Sequence, residues 1–299
     1  MTSAPAKEAY RVSTITAVGN LGVALDLQVV AETLPLLPEG GHREANRSRY
    51  AKDVEDALRE ERRPQMLPVS LAYTGTPQKE GEDGDGCPRH VIRRGRTSST
   101  SKKEKRMFDN QMTLLLQDDD ASRGEVNMKV FGNGRVQITG AKTIDSARSA
   151  VDDVRRIVFA TGVVSPKVDT TYASAVAKSS SSFRVCLINS DIRLSHTIRR
   201  PALYRAMVEE ERMFCAYEPC TYPGVKVVFL CNANGECRRG DSPAADGTEV
   251  RLRCVIFRSG CVLLTGALTY AHLDGGYAFV MGLLRKHASR ICGEATNAA

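Results

Sequence analysis

Two phenylalanines set among cations are the residues of this chain whose types and spacing suggest chemistry. Phe131 opens the segment Phe-Gly-Asn-Gly-Arg-Val-Gln-Ile-Thr-Gly-Ala, and Phe257 opens Phe-Arg-Ser-Gly-Cys-Val-Leu-Leu-Thr-Gly-Ala, 126 residues later with six of eleven positions identical. An aromatic ring offers stacking or insertion against a flat partner, and a neighbouring Lys or Arg offers a charge-assisted contact to an anion. Together they mark a repeated surface rather than a centre of bond-making chemistry. Catalytic residue types are scattered by comparison. The five histidines, His42, His90, His196, His272 and His287, form no constellation, and no phosphate-binding glycine motif or nucleophile elbow occurs. The expectation is a protein that is not an enzyme and needs no cofactor. Nine cysteines, an odd number with no C-x-x-C pair, disfavour both a disulfide framework and a zinc site. Cys186, Cys254 and Cys292 read as core thiols, and Asp118-Asp-Asp120 reads as a tight turn or a metal-binding group.

The elements that carry the phenylalanines follow from alternation. Side chains of a strand point to opposite faces with period 2, and 126 is even, so both copies present the same kinds of residue on the same face. Val126, Met128 and Val130 oppose Asn127, Lys129 and Phe131; past the turn, Val136 and Ile138 oppose Arg135, Gln137 and Thr139. In the second copy Leu252, Cys254 and Ile256 oppose Arg251, Arg253, Val255 and Phe257, and Val262 and Leu264 oppose Cys261, Leu263 and Thr265. Strand phenylalanines are usually buried. Here parity puts both on the face that carries the cations, just before a hairpin turn.

Each half repeats one order of elements. The first has a strand Val12 to Val18, a helix from Asp26 closed by Pro35 and Pro38, a charged helical stretch from Glu44 to Arg63, a strand Met112 to Leu116, the hairpin, and an amphipathic helix Ile144 to Phe159 with Ile144, Ala147, Val151, Val154 and Val158 on one side. The second has a strand Phe183 to Ser190, a helix Arg200 to Met213, a strand Val225 to Cys231, a loop Asn232 to Gly247, the hairpin, and a closing helix Tyr270 to Ile291. This is an α+β pattern of two repeats, residues 10–160 with a charged insertion at 44–106, and residues 183–292, joined by a linker at 161–182.

Within the insertion, Thr76 to Arg106 reads as a loop. Arg89 to Arg106 holds eight Lys or Arg against Glu104 alone. Two readings stand for this run, a solvated loop or an arm that contacts phosphates. The net charge of +7 favours a polyanionic partner. No apolar run approaches the roughly 20 residues that cross a membrane, and Met1 to Tyr10 lacks the apolar stretch of a signal peptide, so a soluble intracellular protein is expected.

The motifs resemble one family. Asn20-Leu-Gly-Val-Ala-Leu-Asp-Leu27 resembles the start of the first helix of the TATA-box-binding protein core, Tyr217-Glu-Pro-Cys-Thr-Tyr-Pro-Gly224 its second-repeat Tyr-Glu-Pro segment, and the two Phe…Gly…Thr-Gly-Ala hairpins its stirrup strands. The resemblance covers roughly residues 10–160 and 183–292. It implies two pseudosymmetric repeats forming a saddle-shaped curved antiparallel sheet, helices on the convex face, and promoter DNA against the concave one, entered through an A·T-rich minor groove. In this family apolar side chains wedge between base steps and bend the duplex.

Carried over residue by residue, the wedges are Phe131 and Phe257 with partners Phe108 and Tyr222, the last adding a hydroxyl. Thr139 and Thr265 match threonines that reach the groove floor, while Gln137 and Leu263 match apolar positions and Val255 lies among them. Thr14 and Val185 stand where the family has its central asparagines, and Thr16 and Leu187 where it has valines. Asn189, on the same face as Val185, is a candidate substitute donor. Lys129, Arg251, Arg253 and Lys226 are candidates for phosphate grip. The implied partners are double-stranded DNA, general initiation factors and an RNA polymerase, and the implied site is the nucleus, or the site of viral transcription. Val225 to Asn232 also resembles copies of the family from large DNA viruses. A diverged saddle that acts as a scaffold or competitor for initiation factors is the alternative; an accessory domain of a nuclease or glycosylase is the third reading, for which the two repeats leave no room.

Overall fold

The computed structural model describes residues 10–37, 65–74, 91–95, 111–118, 124–160 and 182–295, with residue 174. These form two compact units, one from Ile15 to Arg184, the other from Val185 onward together with the residues up to Thr14.

The first unit comprises most of β1 (Arg11–Asn20), then α1 (Leu27–Thr33), β2 (Met66–Thr74), β3 (Val91–Gly95), β4 (Gln111–Asp118), β5 (Glu125–Phe131), β6 (Arg135–Ala141) and α2 (Ile144–Ala160). Its strands run antiparallel in the order β1-β6-β5-β4-β2-β3. One face is closed: Ile15, Ala17, Leu114, Leu116, Val126, Met128, Val130 and Ile138 are buried. The helices cover it. α1 starts where the Asp26 carboxylate accepts from the Gln28 and Val29 N–H groups, and it stops at Leu34, which precedes a proline and so leaves the helical region. α2 buries Ala147, Val151, Val154 and Val158 as its periodicity predicts. It also buries Asp153, whose Oδ2 accepts from the N–H groups of Gln65 (2.7 Å) and Met66 (2.8 Å) and so fixes where β2 begins.

The second unit comprises β7 (Arg184–Arg193), β8 (His196–Ile198), α3 (Arg200–Arg205, continued by a π turn, Ala206–Glu210), β9 (Phe214–Glu218), β10 (Tyr222–Asn232), β11 (Cys237–Arg239), β12 (Glu249–Ile256), β13 (Cys261–Ala267), α4 (Tyr270–Lys286), α5 (Ala288–Ile291) and β14 (Cys292–Ala295). The strand order is β7-β13-β12-β10, and β9 and β11 both pair with the far side of β10. β14 pairs separately with β8. Ile188, Ile192, Val227, Leu252, Cys254, Val262 and Leu264 are buried beneath helices that include α4. The fold is α+β, a duplicated antiparallel sheet with helices on one face.

The repeated glycine in each hairpin has a steric cause. Gly134 and Gly260 sit at φ 80° and 79°, and a Cβ would lie 2.0 Å from the Val23 carbonyl oxygen in one copy and 2.5 Å from that of His196 in the other.

Several boundaries depart from the sequence expectation. β3 is a strand inside the segment read as a loop, and its partner β2 lies where no strand was expected. β11 interrupts the expected loop Asn232 to Gly247. The helix expected to reach Met213 gives out at Glu210, followed by Arg212 at φ 52°, and the closing helix breaks at His287. Asp118 is the buried last residue of β4, where it accepts from the Ser146 hydroxyl, rather than part of a turn. Cys254 is a core thiol, whereas Cys186 and Cys292 are half-exposed. The stretch Glu44 to Arg63, the linker apart from residues 174 and 182, and most of the basic run lie outside the described residues. Among the described residues no helix is long and apolar enough to cross a membrane.

A buried charge cluster closes the second unit. Glu211 is fully buried, and its carboxylate takes contacts from Lys286 Nζ (2.6 Å), His287 Nε2 (2.6 Å) and the Arg239 guanidinium. The hydrogen bond from Lys286, aided by that from His287, outweighs the opposing effect of burial and pulls its pKa from 4.5 down to about 2. A depressed carboxylate contributes stability that is complete above its unfolded pKa and is lost as pH falls through its folded one. Thermal melts of the wild type should therefore lose stability as pH drops from about 4.5 toward about 2, and Glu211→Gln should flatten that part of the profile. Parallel profiles for the two proteins would remove Glu211 from the acid transition.

Candidate nucleic-acid interface

The open face of each sheet carries the residues singled out by alternation. In the first unit the register aligns Val18, Gln137, Lys129, Thr113 and Ala72 in one cross-strand row, and Thr16, Thr139, Asn127, Leu115 and Ser70 in the next. Residues directly opposite share a face. None of these ten is fully buried, while their strand neighbours Ala17, Val136, Ile138, Met128 and Leu114 are core. Phe131 pairs with Gln111 at the end of this face and is half-exposed, so it is not a core residue. Its ring borders a cleft of about 600 Å³ lined also by Leu25, Asp26, Tyr73 and Asn133. Phe108 lies outside the described residues.

The second unit repeats the arrangement. Lys226, Val255, Leu263 and Asp191 form one row, and Val228, Arg253 and Thr265 the next, with Arg251 opposite Leu230. Arg251, Arg253 and Lys226 are exposed, and Phe257 is half-exposed. Phe257 and Tyr222 are brought together, their rings edge to face with centroids 5.9 Å apart and planes at 60°. The Lys226 ammonium lies 4.4 Å from the Tyr222 ring centre. Gly224 keeps the space beside this pair, since a Cβ there would meet Val255 at 2.4 Å and Tyr222 at 3.0 Å. The poor alternation of Val225 to Leu230 has its reason here: apart from Lys226 these residues are buried on both sides.

Both hairpins are held by the same backbone contacts. The Leu21 and Leu25 N–H groups donate to the Gly134 and Gly132 carbonyls, and those of Leu194 and Ile198 donate to Gly260 and Arg258. This pairs Leu21 with Leu194, 173 positions on, and the burial patterns of β1 and β7 agree with that shift. The matching of Thr14 with Val185 is therefore corrected by two residues. Leu187 is the counterpart of Thr14, Asn189 that of Thr16, and Val185 that of Val12. Two residues apart on a strand share a face, so the wrong frame left the face intact but shifted the depth. Asn189 is half-exposed, and its Oδ1 is buried with no hydrogen-bond partner among the described residues.

One surface residue was missed. Phe214 is 58% exposed, and its register with Val228 puts it on the face of Arg253 and Thr265. The signal lay in Phe214-Cys-Ala-Tyr-Glu218, an alternating run hidden by extending the preceding helix to Met213. Arg93, one cation of the basic run read as a loop or a phosphate-contacting arm, lies on the strand β3.

Among the described residues no group of three or more His, Cys, Asp or Glu is placed to hold a metal ion. His272 Nδ1 accepts from the Leu268 N–H, and burial lowers its pKa. Burial pushes the Cys215 thiol up to about 12, which removes it as a thiolate nucleophile near neutrality.

No protein-family model matches the chain. Over 199 residues it is 23% identical to a protein of Acanthamoeba polyphaga mimivirus named TATA-box-binding protein-like, across 62% of this chain and 50% of that one. The chain thus spans about half the length of this curated relative. Among solved structures, Methanococcus jannaschii TBP aligns over 93% of this chain and 98% of its own at 14% identity, with a TM-score of 0.45. The di-domain ARO/CYC StfQ from the steffimycin biosynthetic pathway aligns over 93% and 97% at 10% identity, with a TM-score of 0.22. The strand order β1-β6-β5-β4 of the first unit recurs as β7-β13-β12-β10 in the second, and through its mimiviral relative the chain is similar to TATA-box-binding-protein-like proteins.

Proposed function

We propose that this chain is a transcription initiation factor that binds duplex DNA through the minor groove, bends it, and recruits general initiation factors and an RNA polymerase in the nucleus or at a site of viral transcription. The observation that carries the reading is the open face of each sheet, which ends at an aromatic hairpin and bears Lys129 in one unit and Arg251, Arg253 and Lys226 in the other. Half-exposed rings at a hairpin suit insertion between base steps, whose unstacking costs a few kcal/mol per step and is offset by the wider contact with bent DNA. The cations suit phosphates, which supply affinity without reading sequence.

Mobility-shift and bending assays on TATA-containing, scrambled A·T-rich and G·C-rich duplexes, over a salt series, test the reading. Bending with a preference for A·T-rich duplexes supports it. Equal, weak binding to all three without bending overturns it in favour of a scaffold for initiation factors, a role favoured by the apolar Leu187 and the hydroxyl-bearing Thr14 and Tyr222.

The same assay locates the remaining base contact. Minor-groove A·T pairs present only acceptors, and G·C adds the guanine amino donor. The amide N–H donors of the half-exposed Asn189 complement the former. Asn189→Leu should lower the A·T over G·C preference by roughly threefold to tenfold, the worth of one hydrogen bond of about 1 kcal/mol. An unaltered ratio would take Asn189 out of base reading.

A further inference from the structure

Resting on that reading, we propose that the inserted strand β3 widens the DNA-binding face of the first unit by one strand and supplies Arg93 as an additional phosphate contact. The placement follows from register. Arg93 stands opposite Ala72, Ala72 opposite Thr113, Thr113 opposite Lys129, and Lys129 opposite Gln137, so Arg93 continues the row that carries Lys129 and Gln137 on the open face. At roughly 4.8 Å per strand, Arg93 and Lys129 are about 14 Å apart at the backbone. Only Ala72 and Thr113 stand between them, so the two cations flank a low trough of small side chains.

The two arginines of β3 divide the work. Arg94 points to the opposite face, where its guanidinium donates to the Ala31 and Glu32 carbonyls at 2.9 and 2.8 Å and ties the strand to the C-terminal end of α1. Carbonyls there carry the negative end of the helix dipole, which suits a cation. Arg93 is exposed and has no hydrogen-bond or ion-pair partner among the described residues. A fixed strand that presents a free guanidinium in line with other face residues is built for a flat anionic surface, and phosphate accepts the planar fork of arginine bidentately.

The test is the salt dependence of duplex binding. Removing one phosphate contact lowers the slope of log K against log salt by about 0.9. Arg93→Gln should show that drop with bending and the A·T preference unchanged, and Arg93→Lys should restore the slope. Arg285→Gln, an exposed cation on α4, should leave it unaltered. Melting temperature is followed for each variant, and an exposed, unpaired Arg93 should leave it unmoved. A slope for Arg93→Gln equal to that of a wild type that binds and bends DNA overturns this inference alone. A wild type that binds no duplex overturns the reading beneath it, and this inference with it.

Discussion

A chain carrying Phe131→Ala and Phe257→Ala should bind duplex DNA at low salt within about tenfold of the wild type yet leave it straight. The two terms of binding rest on different atoms. On the proposed function, salt-dependent association rests on Lys129, Arg251, Arg253 and Lys226, none of which the substitutions touch, so the salt slope should persist. Bending, on the same reading, rests on the two rings. Without a rigid apolar side chain to hold an opened step, the unstacking cost of a few kcal/mol returns undiminished, and the bent form loses its population. Loss of fold is not the cause, because both rings are half-exposed. By contrast Phe229, fully buried against Phe279 with ring centres 4.8 Å apart, should cost about 3–5 kcal/mol when cut to Ala. Energy transfer between dyes at the two ends of a short duplex reads the bend directly. Equal bending by the double variant would mean that the rings are not the wedges.

Two glycines of one helix should respond to alanine with opposite signs. Helix propensity alone favours alanine by about 0.8–1.0 kcal/mol at either site. At Gly282 a new methyl meets nothing within 4 Å, so Gly282→Ala should gain most of that amount. At Gly275 the methyl would stand 1.7 Å from the Gly235 carbonyl oxygen, an overlap with backbone that no rotamer relieves. The turn holding Gly235 is itself fixed, since Asn232 Oδ1 accepts from the Asn234 and Glu236 N–H groups. Overpacking of this kind costs about 1–3 kcal/mol, occasionally more, and here it exceeds the propensity gain. Gly275→Ala should be destabilised by about 2 kcal/mol or more in denaturant melts. Stabilisation at both positions would show that α4 does not rest on this turn.

What could be read from residues alone was whatever depends on short-range periodicity. The alternation through Val126 to Thr139 and Arg251 to Thr265 placed every face correctly, because one residue of slip would have buried Lys129 or Arg253. The apolar stripe of Ile144 to Phe159 and the helical pattern from Asp26, closed by Pro35, placed two helices in the same way. Pairing across long insertions was not legible. β2 and β3 are separated by 16 residues, far longer than the roughly two to five of a legible hairpin loop, and the Val91-Ile-Arg-Arg-Gly95 strand is hidden in a basic, serine-rich run. The frame of β1 against β7 was illegible for another reason. Thr14, Thr16, Val185 and Leu187 all suit either register, and it takes the hydrogen bonds of Leu21 and Leu194 to the two hairpins, with the burial patterns of the two strands, to decide between them.

The hairpin contacts have one more consequence. Leu25 and Ile198 are equivalent, so the residues that follow them, Asp26 and Arg199, stand at the same point of the two copies with opposite charge. Asp26 lines the cleft beside Phe131, whereas the cleft of about 470 Å³ in the second unit is lined by Arg199, Arg200 and Arg258. If the proposed function holds, unlike charges at equivalent points of the two copies should make the two orientations on a duplex unequal, and a difference of about 1.4 kcal/mol would be a tenfold preference.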